Sequence, residues 1–229
     1  VTGASRGIGA AIMESFGDQV QAVGHSTSGE ADLIKADFSV DGEASRLWDK
    51  ALERLEGRID VLINNAGIFE PNPIGDQDQD WLDGWNKTMQ INLTASAELC
   101  RLAVRHFKER DTPGRIVNIA SRAAYRGDSP DHWHYAASKG GMVAMTKTIA
   151  RAYAKQEILA FAICPGFTMT GMAEDYLESR GGDKLLADIP LGRVAQPAEI
   201  AEMARWCALD APALMTGEVL DANGASFFR

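Results

Sequence analysis

The sequence is poor in the features that would place it in several protein classes. Its three cysteines, Cys100, Cys164 and Cys207, are scattered and odd in number and form no C-x-x-C pair, so neither a disulfide framework nor a zinc site is indicated. No apolar run approaches the roughly 20 residues that a helical membrane span needs. The N-terminal residues also lack the basic-then-apolar order of a secretory signal. A soluble protein of the reducing cytoplasm is expected. Positive charge is in deficit, with 23 basic against 32 acidic residues and a net charge of -9, which argues against nucleic acid or an anionic membrane as a partner but leaves room for a local basic pocket. There is no internal repeat, low-complexity tract or long Pro/Ser linker, so residues 1-229 are expected to form a single domain.

What the sequence does contain is an alternation of short apolar runs with stretches of helical period. Strands are expected at 21-24, 33-36, 60-65, 115-121, 159-164 and 217-222, and helices at 7-16, 42-55, 79-109, 136-155 and 197-208. Several strands are almost continuously apolar, as strands covered on both faces should be. The pattern predicts a three-layer α/β fold with a doubly wound parallel sheet of Rossmann type. HSTSGEAD (25-32), between the second and third strands, is too short for an ordinary crossover helix and should cross as a loop. The glycine-rich segment at the start should follow a strand. Only Val1 precedes it here, so that first strand is expected to be a stub, truncated in this sequence.

That segment, TGASRGIG (2-9), opens the amphipathic helix IGAAIMESF. Gly3, Gly7 and Gly9 let the backbone turn sharply and approach a pyrophosphate, and the helix start offers unpaired N-H groups to its charge. The spacing is GxxxGxG rather than the more familiar GxGxxG, and taken alone a glycine-rich turn used for close packing explains it about as well. Four further motifs follow in order: NNAG (64-67), NIAS (118-121), YAASK (135-139) and PG (165-166). All but YAASK lie at the ends of expected strands, where open α/β sheets bind ligands, so the loops should converge on one crevice. In YAASK a helical step of four residues puts Tyr135 and Lys139 on one face. On its own the pair would be an aromatic and a cation on a solvated helix. Ser121 alone would be a strand-end turn residue, and Asn92 a helix-interior amide bonded to nearby backbone.

Taken together and in order, these motifs resemble the short-chain dehydrogenases/reductases along essentially the whole chain, nearest to the β-ketoacyl-acyl carrier protein reductase type through TGASRGIG, NNAG, YAASKGG, PGF and TGEVLDANGA. The resemblance implies an NAD(P)-dependent oxidoreductase that passes a hydride between a nicotinamide and a small-molecule ketone or secondary alcohol. Tyr135 would exchange the proton, Lys139 would hold the nicotinamide ribose and depress the tyrosine pKa, Ser121 would bind the substrate oxygen, and Asn92 would position a water beside the lysine. Lowering a phenol from about 10 by about 3 units takes ~4 kcal/mol of preference for the phenolate. Gly3, Ser5, Arg6, Gly7, Ile8 and Gly9 would cradle the pyrophosphate, Asp37 and Phe38 would meet the adenine, and Asn65, Ala66 and Gly67 would lie against the adenosine ribose. Pro165, Gly166, Thr168 and Thr170 would border the nicotinamide.

The end of the second strand, GHSTS (24-28), carries no carboxylate to repel a 2′-phosphate. His25, Ser26 and Thr27 can donate hydrogen bonds there, and Arg6 can pair with the phosphate or face solvent, so NADP(H) is expected ahead of NAD(H). From Ser121 to Tyr135 is 14 positions, one more than the resemblance implies, and the stretch includes GDSPDHWH. Asp131, His132, Trp133 and His134 are thereby candidates to shape the substrate mouth, while the plainer reading of the two histidines is an exposed loop pair. A metal site would need a third ligand, and none stands at a recognisable spacing. Residues 170-193 read either as a lid over the substrate or as a surface helical hairpin. Family analogy and the apolar C-terminal end suggest a homotetramer. The competing reading is a catalytically silent dinucleotide-binding or scaffolding protein; a lyase or isomerase that uses the cofactor transiently has no feature in its favour.

Overall fold

In a computed structural model of the chain, the described residues are 1-170 and 186-229, with Gln19 described by its backbone alone. The strands are β1 (His25–Ser26), β2 (Ile34–Lys35), β3 (Val61–Asn64), β4 (Gly114–Ile119), β5 (Ile158–Pro165) and β6 (Val219–Ala222). The helices are α1 (Gly7–Phe16), α2 (Glu43–Arg54), α3 (Asp78–Met89), α4 (Ala95–Arg110), α5 (Ala123–Arg126), α6 (Trp133–Tyr153) and α7 (Pro197–Leu209). Every strand pairing is parallel: β1 with β2, and β3-β4-β5-β6 in that order.

Residues 1-4 join the two groups of strands. The Thr2 N-H donates to the Ile63 carbonyl at 3.0 Å, while the Ala4 N-H donates to His25 and the His25 N-H to Val1 at 2.7 and 3.0 Å. The order across the sheet is therefore β2, β1, residues 1-4, β3, β4, β5, β6. It reverses direction beside residues 1-4, which is where the glycine-rich loop leaves the sheet.

Alternation along the strands builds two cores. Leu62, Ile116 and Ala160 face one side, where Trp48 of α2, Leu99, Ala103 and Phe107 of α4 and Ile149 of α6 cover them. Their neighbours Ile63, Val117 and Phe161 face the other, packed against Ile12 and Phe16 of α1 and Ile200, Ala204 and Cys207 of α7. The doubly wound three-layer architecture is thus built by side chains one residue apart.

Three elements differ from the sequence expectation. The strand expected at 21-24 is displaced to His25–Ser26, with Val23 and Gly24 contributing only single carbonyls, to Val1 and to Ile34. The single helix expected at 79-109 is interrupted by a π turn, Gln90–Thr94, closed by the Ala95 N-H to the Gln90 carbonyl. The helix expected from 136 begins at Trp133, which places Tyr135 in its first turn. The β1-to-β2 connection crosses as a loop, as expected. It turns through left-handed backbone at Gly29, Ala31 and Asp32, with φ of 77°, 52° and 65°, a conformation that costs the two non-glycine residues some strain.

Candidate active site

The glycine-rich loop is held from below by His25. Its Nδ1 accepts the Gly3 N-H at 3.1 Å, its Nε2 donates to the Ala36 carbonyl at 2.9 Å, and its ring stacks on Phe38 at 4.4 Å between centroids. Both nitrogens are spent and the ring is buried, so His25 is a brace between the loop and β2 rather than a free donor to a cofactor, and burial lowers its pKa. Ser26 is also buried, its Oγ accepting the Gly29 N-H at 2.9 Å. Phe38 is occupied in the core, leaving its backbone for any contact. Asp37 stays at the rim, its carboxylate held below the usual range by the Ser39 hydroxyl and N-H at 2.7 and 2.9 Å.

The glycines divide by role. A Cβ at Gly9 would stand 2.0 Å from the Gly3 carbonyl oxygen, and one at Gly3 would stand 2.8 Å from Ala66 Cα, so both are required by close packing whatever the loop binds. Gly7 has φ +57 and begins α1, and a Cβ there would meet only the Thr170 methyl at 3.0 Å. The first turn of α1 has no side-chain cap and no acidic residue; Arg6, its N-cap, is exposed. A ten-residue helix with an uncapped start behind such a loop fits an anion. Asn65 links the two loops: its Nδ2 donates to the carbonyls of Thr2 and Gly3, each at 3.0 Å, and the Asn65 and Ala66 N-H groups donate to the Thr2 hydroxyl.

Across the crevice, Ser121 follows β4 and its Oγ accepts the Ala123 N-H at 3.1 Å, while its side chain lies near enough to the Tyr135 phenol to favour the phenolate. Burial nevertheless pushes the phenol up to about 12, against the influence of Ser121, which lowers it. The expectation that Lys139 depresses Tyr135 is therefore not met by the chain's own groups. The Lys139 ammonium donates to the Ile119 carbonyl at 2.9 Å, stands 5.8 Å from the centre of the Tyr135 ring, and is itself lowered by burial to about 8. The chain alone keeps a protonated phenol beside a desolvated lysine.

Asn92 lies in the π turn, and its amide is fully used: Oδ1 accepts the Ile68 N-H at 2.8 Å, while Nδ2 donates to the Ile68 carbonyl at 2.9 Å and reaches the Ser138 hydroxyl at 3.4 Å. It pins the loop after β3 across 24 residues rather than bonding to nearby backbone. A Cβ at Gly67 would stand 3.3 Å from Asn92 Oδ1 and 3.5 Å from Lys139 Nζ, so a glycine keeps the loop close to both. Ser138, which sequence reasoning missed, donates to the Tyr135 carbonyl at 2.7 Å and so ties Asn92 to the turn that carries the tyrosine. Below lies a second missed group: Asn64 Nδ2 donates to Asn118 Oδ1 at 2.9 Å and Asn118 Nδ2 to Thr146 at 2.8 Å, fastening β3 to β4 and β4 to α6. Only the motif letters NNAG and NIAS hinted at it.

After β5, Pro165 accepts the Arg122 N-H at 3.0 Å, and a Cβ at Gly166 would stand 2.9 Å from Asn223 Cα. The Thr168 hydroxyl donates to the Gly166 carbonyl at 3.3 Å, and Thr170 reaches back to Gly7. These contacts bring together the four loops and the first turns of α6. Ser5 is exposed on its rim and Ile8 half-buried. His134 is 1% exposed on α6, which overturns the exposed loop pair. Of the expected lid, residues 171-185 lie outside the described residues. Among the described residues no group of three or more His, Cys, Asp and Glu can hold a metal, and no helix is long and apolar enough to cross a membrane.

An anion-receptive helix start at the reversal of a parallel sheet, facing a Ser-Tyr-Lys group, defines a dinucleotide-dependent oxidoreductase. Comparison with known proteins agrees. Residues 3-224 match the family described as enoyl-(acyl carrier protein) reductase. The chain is 34% identical to 3beta-hydroxysteroid dehydrogenase 1 of Eggerthella lenta, over 98% of this chain and 91% of that protein. It is 34% identical to acetoacetyl-CoA reductase of Shinella zoogloeoides (100% and 97%) and to 3-oxoacyl-[acyl-carrier-protein] reductase of Synechocystis (98% and 94%). The chain belongs to the short-chain dehydrogenase/reductase family and is an NAD(P)-dependent oxidoreductase.

Proposed function

We propose that the chain interconverts a small-molecule ketone and a secondary alcohol with NADP(H), Tyr135 exchanging the proton with the substrate oxygen. The observation that carries this reading is the Lys139 ammonium 5.8 Å from the Tyr135 ring one turn back on the same helix, fastened to the Ile119 carbonyl at the end of β4, two residues before Ser121. The nicotinamide, when bound, supplies or accepts the hydride. In reduction the phenol, protonated in the chain alone, donates to the carbonyl oxygen while Ser121 hydrogen-bonds the same oxygen. Lys139 stabilises the phenolate left behind, and Asn92 holds the loop at Ile68 against it. Gly3, Ser5, Arg6, Gly7, Ile8 and Gly9 would hold the pyrophosphate, Asp37 and the backbone of Phe38 the adenine, Asn65 to Gly67 the adenosine ribose, and Pro165, Gly166, Thr168 and Thr170 the nicotinamide. Ser26, turned into its own loop, would act chiefly by shaping that edge. The relatives' names, which speak of hydroxysteroid, acetoacetyl and 3-oxoacyl compounds, support an oxygenated carbon as the reacting centre.

NADP(H) is supported by the exposed Arg6 beside an edge whose residues 24-28 include no carboxylate. Arg6→Ala is expected to weaken NADPH binding about tenfold and NADH by less than about twofold, since a charge-assisted bond to a phosphate is worth roughly 1.5 kcal/mol or more. Calorimetric titration of both nucleotides checks it, and equal losses would remove the 2′-phosphate argument. A cytoplasmic homotetramer is part of the same reading. Exposed Leu214 and Phe228, at 97% and 79%, are apolar surface that assembly would cover.

The test of the whole is a screen of ketones, aldehydes and acetoacetyl thioesters against both reduced nucleotides, followed by nicotinamide absorbance. Turnover of a ketone is expected. Silence on every compound with nucleotide binding intact would favour the scaffolding reading.

A further inference from the structure

The wall beside the proposed proton donor is built from residues that the reaction itself does not require. Phe69 meets the Tyr135 ring edge to face, with centroids 4.8 Å apart and planes at 83°. It also lies flat on His132, at 3.9 Å and 9°. His132 is fixed in turn, its Nδ1 2.6 Å from the Ser129 hydroxyl and its N-H donating to the Ser129 carbonyl at 2.9 Å. The two loops that carry these rings are fastened together. The Asn72 N-H donates to the Asp131 carbonyl at 2.8 Å, and the His134 ring is buried beneath them. Phe69 is therefore held by two rings, between two loops that cannot separate without breaking a backbone hydrogen bond.

We infer that Phe69 is a specificity-determining residue, a fixed aromatic wall that admits flat substituents on the substrate carbonyl and rejects thick ones, and that His132 is the positioning residue holding it in place. This rests on the ketone reading above. A carbonyl oxygen taken by Ser121 and Tyr135 leaves one substituent beside the Tyr135 ring, where Phe69 stands. A planar aryl group can lie along such a wall. A tert-butyl group, equally apolar but thick in every direction, meets it. Trp133, 56% exposed on the adjoining turn, extends the apolar character of this mouth.

The experiment compares kcat/KM for acetophenone and for 3,3-dimethylbutan-2-one in the full chain with NADPH. The unaltered protein is expected to prefer the aryl ketone. Phe69→Ala should shift the ratio toward the tert-butyl ketone by about tenfold or more, the scale on which pockets discriminate a methylene or two. Phe69→Leu should shift it in the same direction but less, and it decides the matter if the alanine variant does not fold. His132→Ala should reproduce part of the shift, and His132→Phe, which keeps a ring for stacking, should restore the original ratio. A ratio within about twofold of the original in the Phe69 variants, with ketones still reduced, overturns the wall while leaving the proposed activity standing. His132→Phe behaving like His132→Ala overturns the positioning role. Silence of the unaltered protein on both ketones and on the wider screen overturns the activity and the wall together.

Discussion

Tyr135→Phe is expected to lower kcat by about a thousandfold while nucleotide titration stays within about twofold of the original, since a positioned general acid contributes roughly a hundred- to ten-thousandfold. The substitution removes one oxygen and keeps the ring, so the edge-to-face contact with Phe69 at 4.8 Å and the start of α6 are retained. What is lost is the hydroxyl on the ring that the Lys139 ammonium flanks at 5.8 Å. The chain's own electrostatics sharpen the expectation. With the phenol pushed up to about 12 and Lys139 lowered to about 8, the resting pair is a neutral acid beside an ammonium that has little to spare at alkaline pH. Reduction should therefore proceed at neutral pH, with the phenol already protonated, and should fall as pH rises past about 8, where Lys139 loses its charge. A pH profile of ketone reduction checks the slope, and undiminished turnover in the phenylalanine variant would remove Tyr135 from the role of proton donor.

The parts of the fold that could be read in advance are those set by local pattern. Strands β4 and β5 are near-continuous apolar runs, Ile116 to Ile119 and Ile158 to Cys164, and only a strand buried on both faces uses such a run. The glycine-rich loop was legible because glycine at Gly3 and Gly9 marks places where backbone approaches too closely for a Cβ. What could not be read depends on partners distant in sequence. The π turn at Gln90–Thr94 adds one residue to a helical turn and carries no Gly or Pro to mark it, so the sequence reads as an unbroken helix. His134 looks like a loop histidine until α6 is seen to start at Trp133 and bury it. The Asn64, Asn118 and Thr146 network joins residues up to 54 positions apart, and no spacing rule connects them. His25 was misread for the same reason: its partners, Gly3 and Ala36, lie on separate segments that only the folded sheet brings together.

Gly9→Ala is the other change with a large expected effect, and there propensity and packing pull in opposite directions. Alanine in place of an interior helical glycine gains roughly 1 kcal/mol of helix propensity. Yet the added methyl would lie 2.0 Å from the Gly3 carbonyl oxygen and 2.6 Å from Asn65 Nδ2. The first obstacle is backbone and cannot rotate aside. The second is an amide already holding the Thr2 and Gly3 carbonyls at 3.0 Å. Helix α1 must then move away from the loop, which strains the Gly3 bond to His25 and loosens Ile12 and Phe16, both buried against α7 and the sheet. Overpacking of this kind costs about 3 kcal/mol, more than the propensity gain, and in a chain of this size roughly 2 kcal/mol net corresponds to a fall in Tm of about 4-8 °C. Nucleotide binding should suffer further, because the displaced helix start is the proposed pyrophosphate site. Gly75→Ala is the control, since nothing lies within 4 Å of its added methyl. It should shift stability by no more than about 0.5 kcal/mol. Thermal melts with and without nucleotide separate the two effects, and a Gly9→Ala protein melting with the original and binding NADPH equally well would show that the loop yields where the packing says it cannot.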